Sequence, residues 1–167
     1  MSSAPRDVFE RMRRDWFGSP AALTGDLLAD DAVIEAPFAP PGHPNRFEGR
    51  QAFLEYANPL RAVFPVRFDE CRTVAVHDTT DPATIVVEYE LTGTSTATGR
   101  QATAAFIGVL TARDGKIARW REYQNTETSA TKSGAPTITA SAIRPRLVNI
   151  HFRQAIRPTT DTAVPMA

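Results

Sequence analysis

Late in the chain, Trp120, Glu122 and Gln124 alternate with Arg119, Arg121 and Tyr123. In an extended strand, alternate residues share a face. One face then carries a carboxyl between an indole and a carboxamide, and the other carries two guanidiniums and a phenol. If the Trp120 face points into a closed cavity, desolvation disfavours the charged form of Glu122 and makes it a usable general acid or base near neutral pH. If it points outward, Glu122 pairs with a neighbouring arginine. Alternation alone leaves both arrangements open. Tyr56 could donate a hydrogen bond to a ligand carbonyl, or serve as a half-buried core ring. His43 lies in a Pro-rich loop, where it could move protons at a pocket mouth or stand free in solvent. Trp16, Phe38, Phe64, Phe106 and Trp120, with Leu60 and Gln124 nearby, would line a site for a ring-shaped ligand, and would equally make a core.

Several chemistries lack their signatures. There is no Gly-rich phosphate loop, no Gly-x-Ser-x-Gly elbow and no His-Glu-x-x-His. His43, His77, His151 and the lone Cys71 are scattered, so no metal site and no disulfide framework is expected. Cys71 has no evident histidine or helix terminus to activate it and reads as inert packing. Nineteen basic side chains balance nineteen acidic ones, giving a pI near 6.8. Nucleic-acid binding needs a surplus of cations and is not expected. No stretch approaches the roughly 20 apolar residues that span a bilayer. Arg11, Arg13 and Arg14 are interleaved with Asp7, Glu10 and Asp15 in a helix face, and no apolar signal run precedes them. A soluble, unexported, cytoplasmic protein is expected, without cofactor.

The elements that must position these residues follow from length and periodicity. With 167 residues, 42% hydrophobic and 23% charged, the chain suits one domain with one core. Composition changes near residue 129: Ser, Thr, Ala and Pro supply half of residues 129–167, and five cations there meet only Asp161. Residues 129–167 therefore read as an irregular tail, with Leu147–Phe152 able to dock as a short strand or turn, and residues 1–128 read as the domain. Val8, Met12 and Trp16, with Phe9, predict a helix with one apolar stripe. Ser19-Pro20 predicts the start of a second short helix through Leu23, Leu27 and Leu28. A short strand is expected over 32–36, then a Pro-rich loop over 38–47. A helix is expected over 49–64, broken or kinked at Pro59. Strands are expected near 66–77, 84–95 and 100–112, with a fourth following the Asp114-Gly115 hairpin turn. Tight turns make these four antiparallel, and helices gathered at the beginning give an α+β fold with one sheet face covered. Val87, Tyr89, Leu91, Thr103, Ala105 and Ile107 are read as an apolar outer face, hence a homodimer interface.

Three runs carry a family resemblance: Leu28-Ala-Asp-Asp-Ala-Val-Ile-Glu-Ala-Pro37, Phe47-Glu-Gly-Arg50, and Asp114-Gly-Lys-Ile-Ala-Arg-Trp-Arg-Glu-Tyr-Gln-Asn125. In order and spacing the chain resembles, over residues 5–128, the SnoaL-like branch of the nuclear transport factor 2-like superfamily. The resemblance implies a conical α+β barrel, a homodimer and an apolar pocket between sheet and helices for a small molecule. It does not fix the activity, because the superfamily holds ketosteroid isomerases, polyketide cyclases, epoxide hydrolases and non-catalytic members. The general-base aspartate of ketosteroid isomerases falls on Ala36, and their oxyanion-donor aspartate near Ile107, so that mechanism is not expected. Locally the chain is most similar to phenazine-biosynthesis A/B proteins, whose acid/base glutamate falls on Glu122. Their pocket histidine falls on Tyr56 and a nearby serine on Leu60. The resemblance therefore implies acid/base isomerisation, cyclisation or dehydration of a cyclic or polyketide-like metabolite, with a non-catalytic ligand-binding or accessory role as the alternative.

Overall fold

A computed structural model describes residues 4–17, 22–39 and 41–124. Helix α1 spans Pro5–Met12, with Pro5 at its first turn, where a missing N–H costs nothing. It does not continue as a regular helix to Trp16. Residues 13–17 form one wide π-helical turn, which buries Trp16 and Phe17 together. A 3₁₀ turn at Gly25–Leu27 stands where a short helix was expected, and Leu28 already begins a strand. Ser19 and Pro20 lie outside the described residues.

Strand β1 runs Leu28–Glu35, earlier than the expected 32–36. The Pro-rich segment ends in a three-residue strand, β2, at Arg46–Glu48. Helix α2 covers Arg50–Ala62 without interruption at Pro59. Pro59 and Glu55 both face solvent, so the Glu55 carbonyl, which loses its helical donor to the proline, is open to water. Then come β3 (Val66–Asp78), β4 (Thr84–Ser95), β5 (Gln101–Arg113) and β6 (Lys116–Gln124). Asp114 and Gly115 take positive φ values of 52° and 73°, the hairpin turn that the dipeptide predicts.

The six strands form one curved sheet in the order β2-β1-β6-β5-β4-β3. All neighbours are antiparallel except β1 and β6, which run parallel. Helix α1 packs over β4 and β5, and α2 over β1 and β2. Arg11 ties α1 to the β5–β6 turn by donating to the Gly115 carbonyl at 3.0 Å. Asn58 ties α2 to the segment before β1, accepting from Leu23 N–H at 2.8 Å and donating to its carbonyl at 3.2 Å. The helix-covered face of the sheet carries Leu28, Ala32 and Ile34, then Ile117, Trp120 and Glu122. Across β5 and β4 it carries Ala102, Ala104, Phe106 and Gly108 beside Ile85, Val87, Tyr89 and Leu91.

The register corrects one expectation. Tyr89 pairs with Phe106, and Glu88 with Ile107. Val87, Tyr89 and Leu91 are therefore interior, and only Thr103, Ala105 and Ile107 of the expected outer set lie on the open face. Residues 129–167, with Leu147–Phe152, lie outside the described residues. Among the described residues no helix is long and apolar enough to cross a membrane.

Candidate functional site

Strand alternation on β6 sends Trp120 and Glu122 to the helix-covered face, where Glu122 is buried and bonded to Tyr89 rather than to an arginine. Glu122 is 5% exposed. Its carboxylate accepts a short hydrogen bond from the hydroxyl of Tyr89, itself 1% exposed, which reaches across β5 from β4. Aromatic rings wall the pair. Phe106 stacks on Tyr89 with centroids 5.1 Å apart. Phe9 of α1 lies 5.9 Å from Tyr89 and 6.4 Å from Trp120, and Phe17 lies 5.8 Å from Tyr89. Burial pushes the Glu122 carboxyl up to about 7, while the hydrogen bonds of Tyr89 and Trp120 pull it partly back. Burial also raises Tyr89 well above its ordinary value, helped by the neighbouring Glu122 charge, so the phenol keeps its proton. An acid that is half ionised at neutral pH beside a phenol that stays protonated can exchange a proton and donate a hydrogen bond in one place.

Tyr89 is absent from the expected site residues because its face of β4 is expected to point outward, and the register turns it inward. The available signal was chemical: a tyrosine in the alternation Ile85-x-Val87-x-Tyr89-x-Leu91 is buried, and a buried phenol needs a partner.

The wide turn after α1 divides the aromatic residues into two groups. Trp16 turns toward α2 and packs on Phe53 at 6.0 Å, and Phe53 contacts Phe47 at 5.7 Å. Tyr56 joins this group, its ring 4.9 Å from Phe47 at the β2 side of the sheet. Phe17 turns the other way, toward Tyr89 and Phe68, with Phe64 stacked beyond at 6.0 Å from Phe68. Leu60 is half-buried on α2, and Gln124 half-buried opposite Phe106 on the Glu122 face. His43 is half-buried in the loop between β1 and β2, and no described hydrogen bond or ring contact joins it to Glu122. Phe38, expected in the lining, is 62% exposed and packs edge-on against Tyr123 at 5.3 Å, on the opposite face of the sheet. It follows Pro37, where β1 has already ended and the chain turns outward.

Cys71 and Thr73 on β3 share the inner face, opposite Leu91 and Tyr89. Burial pushes the Cys71 thiol up to about 12, which leaves it a poor nucleophile. Among the described residues no group of three or more His, Cys, Asp or Glu side chains could hold a metal ion.

Glu35, on the outer face, has the opposite environment. Arg46 and Arg119 each donate to it at 2.7 Å, and Arg121 stands at 3.5 Å. Burial raises its carboxyl, but these hydrogen bonds and charges outweigh that and leave it below its ordinary value.

A curved mixed sheet of six strands with helices over one face is the ketosteroid isomerase-like, or nuclear transport factor 2-like, α+β cone fold. The family model of the SnoaL-like domain matches residues 9–120, and the chain belongs to that family. An uncharacterized PhzA/B-like protein of Pseudomonas aeruginosa is 34% identical over 100 residues, covering 60% of this chain and 69% of that protein. A candidate isomerase of Bacillus subtilis superposes with a TM-score of 0.64 at 25% identity, over 73% of this chain and 86% of that one. The Δ5-3-ketosteroid isomerase of a Mycobacterium species gives 0.59 at 21% identity, over 75% and 96% of the two chains, a likeness of fold.

Proposed function

We propose that the protein binds a cyclic or polyketide-like metabolite between sheet and helices and moves a proton on it, in isomerisation, cyclisation or dehydration. The reaction needs no cofactor, and the protein works in the cytoplasm. The observation that carries this reading is the Glu122–Tyr89 pair, a carboxyl raised to about 7 bonded to a phenol among aromatic walls. Glu122 takes a proton from the carbon beside a ligand carbonyl and returns it elsewhere. Tyr89 supports the charge that develops on the ligand oxygen or on Glu122, as a donor fixed in a desolvated site. Phe106, Trp120 and Phe17 give the flat surfaces a ring would lie against.

The test is proton–deuterium exchange at the α-carbon of a panel of cyclic enones and diketones, with wild type and Glu122→Gln side by side. A loss of about 10²–10⁴-fold in exchange with intact thermal unfolding is expected. Equal exchange in both folded proteins removes the catalytic role. A second reading, a non-catalytic ligand-binding or accessory protein, is favoured by the tight mutual packing of Phe9, Phe17, Tyr89, Phe106 and Trp120. Ligand binding without exchange in either protein selects it.

A further inference from the structure

Gly108 stands directly opposite Glu122 in the β5–β6 ladder, and Leu110 stands opposite Trp120. A Cβ at position 108 would lie 2.0 Å from Cη2 of Trp120, 2.6 Å from Cζ3 and 2.7 Å from Cζ2. The six-membered ring of the indole therefore fills the volume that any other residue at 108 would need. Trp120 leans diagonally along the sheet, away from its own partner and toward the Gly108–Glu122 pair. Phe9 of α1 covers its other side, with ring planes 25° apart. Glycine inside a strand weakens it and marks a close approach by another group. Here the approaching group is the indole.

We infer that Gly108 and Trp120 form one positioning unit for Glu122: the gap at 108 seats the indole, and the seated indole holds its N–H toward the Glu122 carboxyl. The surroundings make this donor count. Glu122 faces Tyr89 from β4 and Cys71 from β3, while β5 presents Phe106 and Gly108 and α1 presents Phe9. Among the described residues the favourable partners of the ionised carboxyl are two neutral donors, the Tyr89 hydroxyl and the Trp120 indole. Loss of either leaves a buried carboxylate with one donor, in a medium where a missing partner is costly. A β-carbon at 108 therefore acts on Glu122 through Trp120, without touching the carboxyl.

This inference deepens the proposed function by naming what sets the proton affinity of its acid/base group, and its test reads protonation, so an absence of turnover leaves it standing. Glutamate labelled with ¹³C at the carboxyl is titrated by NMR in wild type, Trp120→Phe, Gly108→Ala and the double variant. Trp120→Phe is expected to raise the Glu122 midpoint by about half a unit to one unit, since a hydrogen bond to the charged form is lost. Gly108→Ala is expected to raise it by a similar amount, and the double variant to match Trp120→Phe alone, because both act through one indole. Gly108→Ala should also lower the melting temperature in the wild-type background and scarcely in the Trp120→Phe background. If Gly108→Ala does not fold, the Trp120→Phe titration decides. A midpoint unmoved by Trp120→Phe, or single-variant shifts that add in the double variant, overturns the inference. A purely structural role for the indole would change unfolding and leave the midpoint in place.

Discussion

Glu122 on β6 and Glu35 on β1 are buried carboxyls on opposite faces of neighbouring strands, and they titrate in opposite senses. Glu122 rises from an ordinary 4.5 to about 7. Between those values the folded state keeps a proton that the unfolded state has released. Its contribution to stability is therefore complete below 4.5 and lost as pH rises through about 7. The full window corresponds to roughly 3 kcal/mol at about 1.4 kcal/mol per unit. Glu122→Gln should thus gain stability relative to wild type as pH rises across this window, then hold a constant advantage. Thermal unfolding of both proteins across the window checks it, and a difference independent of pH would contradict the desolvated acid. Tyr89→Phe removes the hydroxyl donor and should cost about 1–3 kcal/mol where Glu122 is ionised, and less in acid, where a neutral carboxyl needs it less. Glu35 is lowered, so its contribution is present above 4.5 and is lost as pH falls through its folded value. Glu35→Gln should destabilise at neutral pH and converge on wild type in acid. Because its three arginines are nearly half exposed, the neutral-pH loss should be about 1 kcal/mol.

At the scale of elements, the backbone makes its own demands. Gly49 precedes α2 with φ +90°, while its N–H donates to the Ala32 carbonyl at 2.9 Å. A side chain there meets backbone strain rather than crowding, since the nearest atom to a Cβ is the Asp30 carbonyl oxygen at 3.7 Å. Gly49→Ala should therefore cost about 1–2 kcal/mol, read by chemical unfolding, with the Glu122 titration unchanged. The same contrast between local and non-local causes explains what could be read from the sequence. Strands β3 to β6 show period-two patterning and a turn dipeptide, which are local signals, and their bounds are nearly those expected. Strand β2 has three residues after a run of prolines and exists because β1 offers it an edge, with Ile34 opposite Phe47. The turn at 13–17 was hidden because Trp16 fits ordinary helical spacing and only Phe17 betrays the widening. Alternation alone does not choose the inward face of Glu122, and the family likeness only favours it. The alternation Ile85, Val87, Tyr89, Leu91 marks one face of β4 as buried, but it does not say whether helices or a second copy of the chain cover that face, which is why Tyr89 is expected on the outside.

At the scale of the whole molecule, the buried core among the described residues runs from Val8 to Trp120. Because residues 129–167 are rich in Ser, Thr, Ala and Pro, a chain ending at Glu127 is expected to remain soluble with a cooperative melt near that of the full chain. Insolubility would mean that later residues, with Leu147–Phe152 as the apolar segment, complete the body. The open face of the sheet argues for association. Ile107 is 46% exposed on β5 and stands opposite Tyr123 of β6, against which the 62% exposed Phe38 packs. Arg121 lies over the Tyr123 ring at 5.9 Å, and the Arg46–Glu35–Arg119 cluster borders the patch. Apolar side chains joined into one area and rimmed by charge are the pattern of an interface. A homodimer in which each copy offers this face is expected, since a two-fold axis lets one patch meet itself. Ile107→Lys places a charge at the centre of the patch and touches no interior group, because residue 107 points away from Phe106 and Tyr89. Sedimentation at micromolar concentration should show a dimer for wild type and a monomer for Ile107→Lys, with the Glu122 titration the same in both. A monomeric wild type would remove the interface, whereas a variant that stays dimeric would move it to another face.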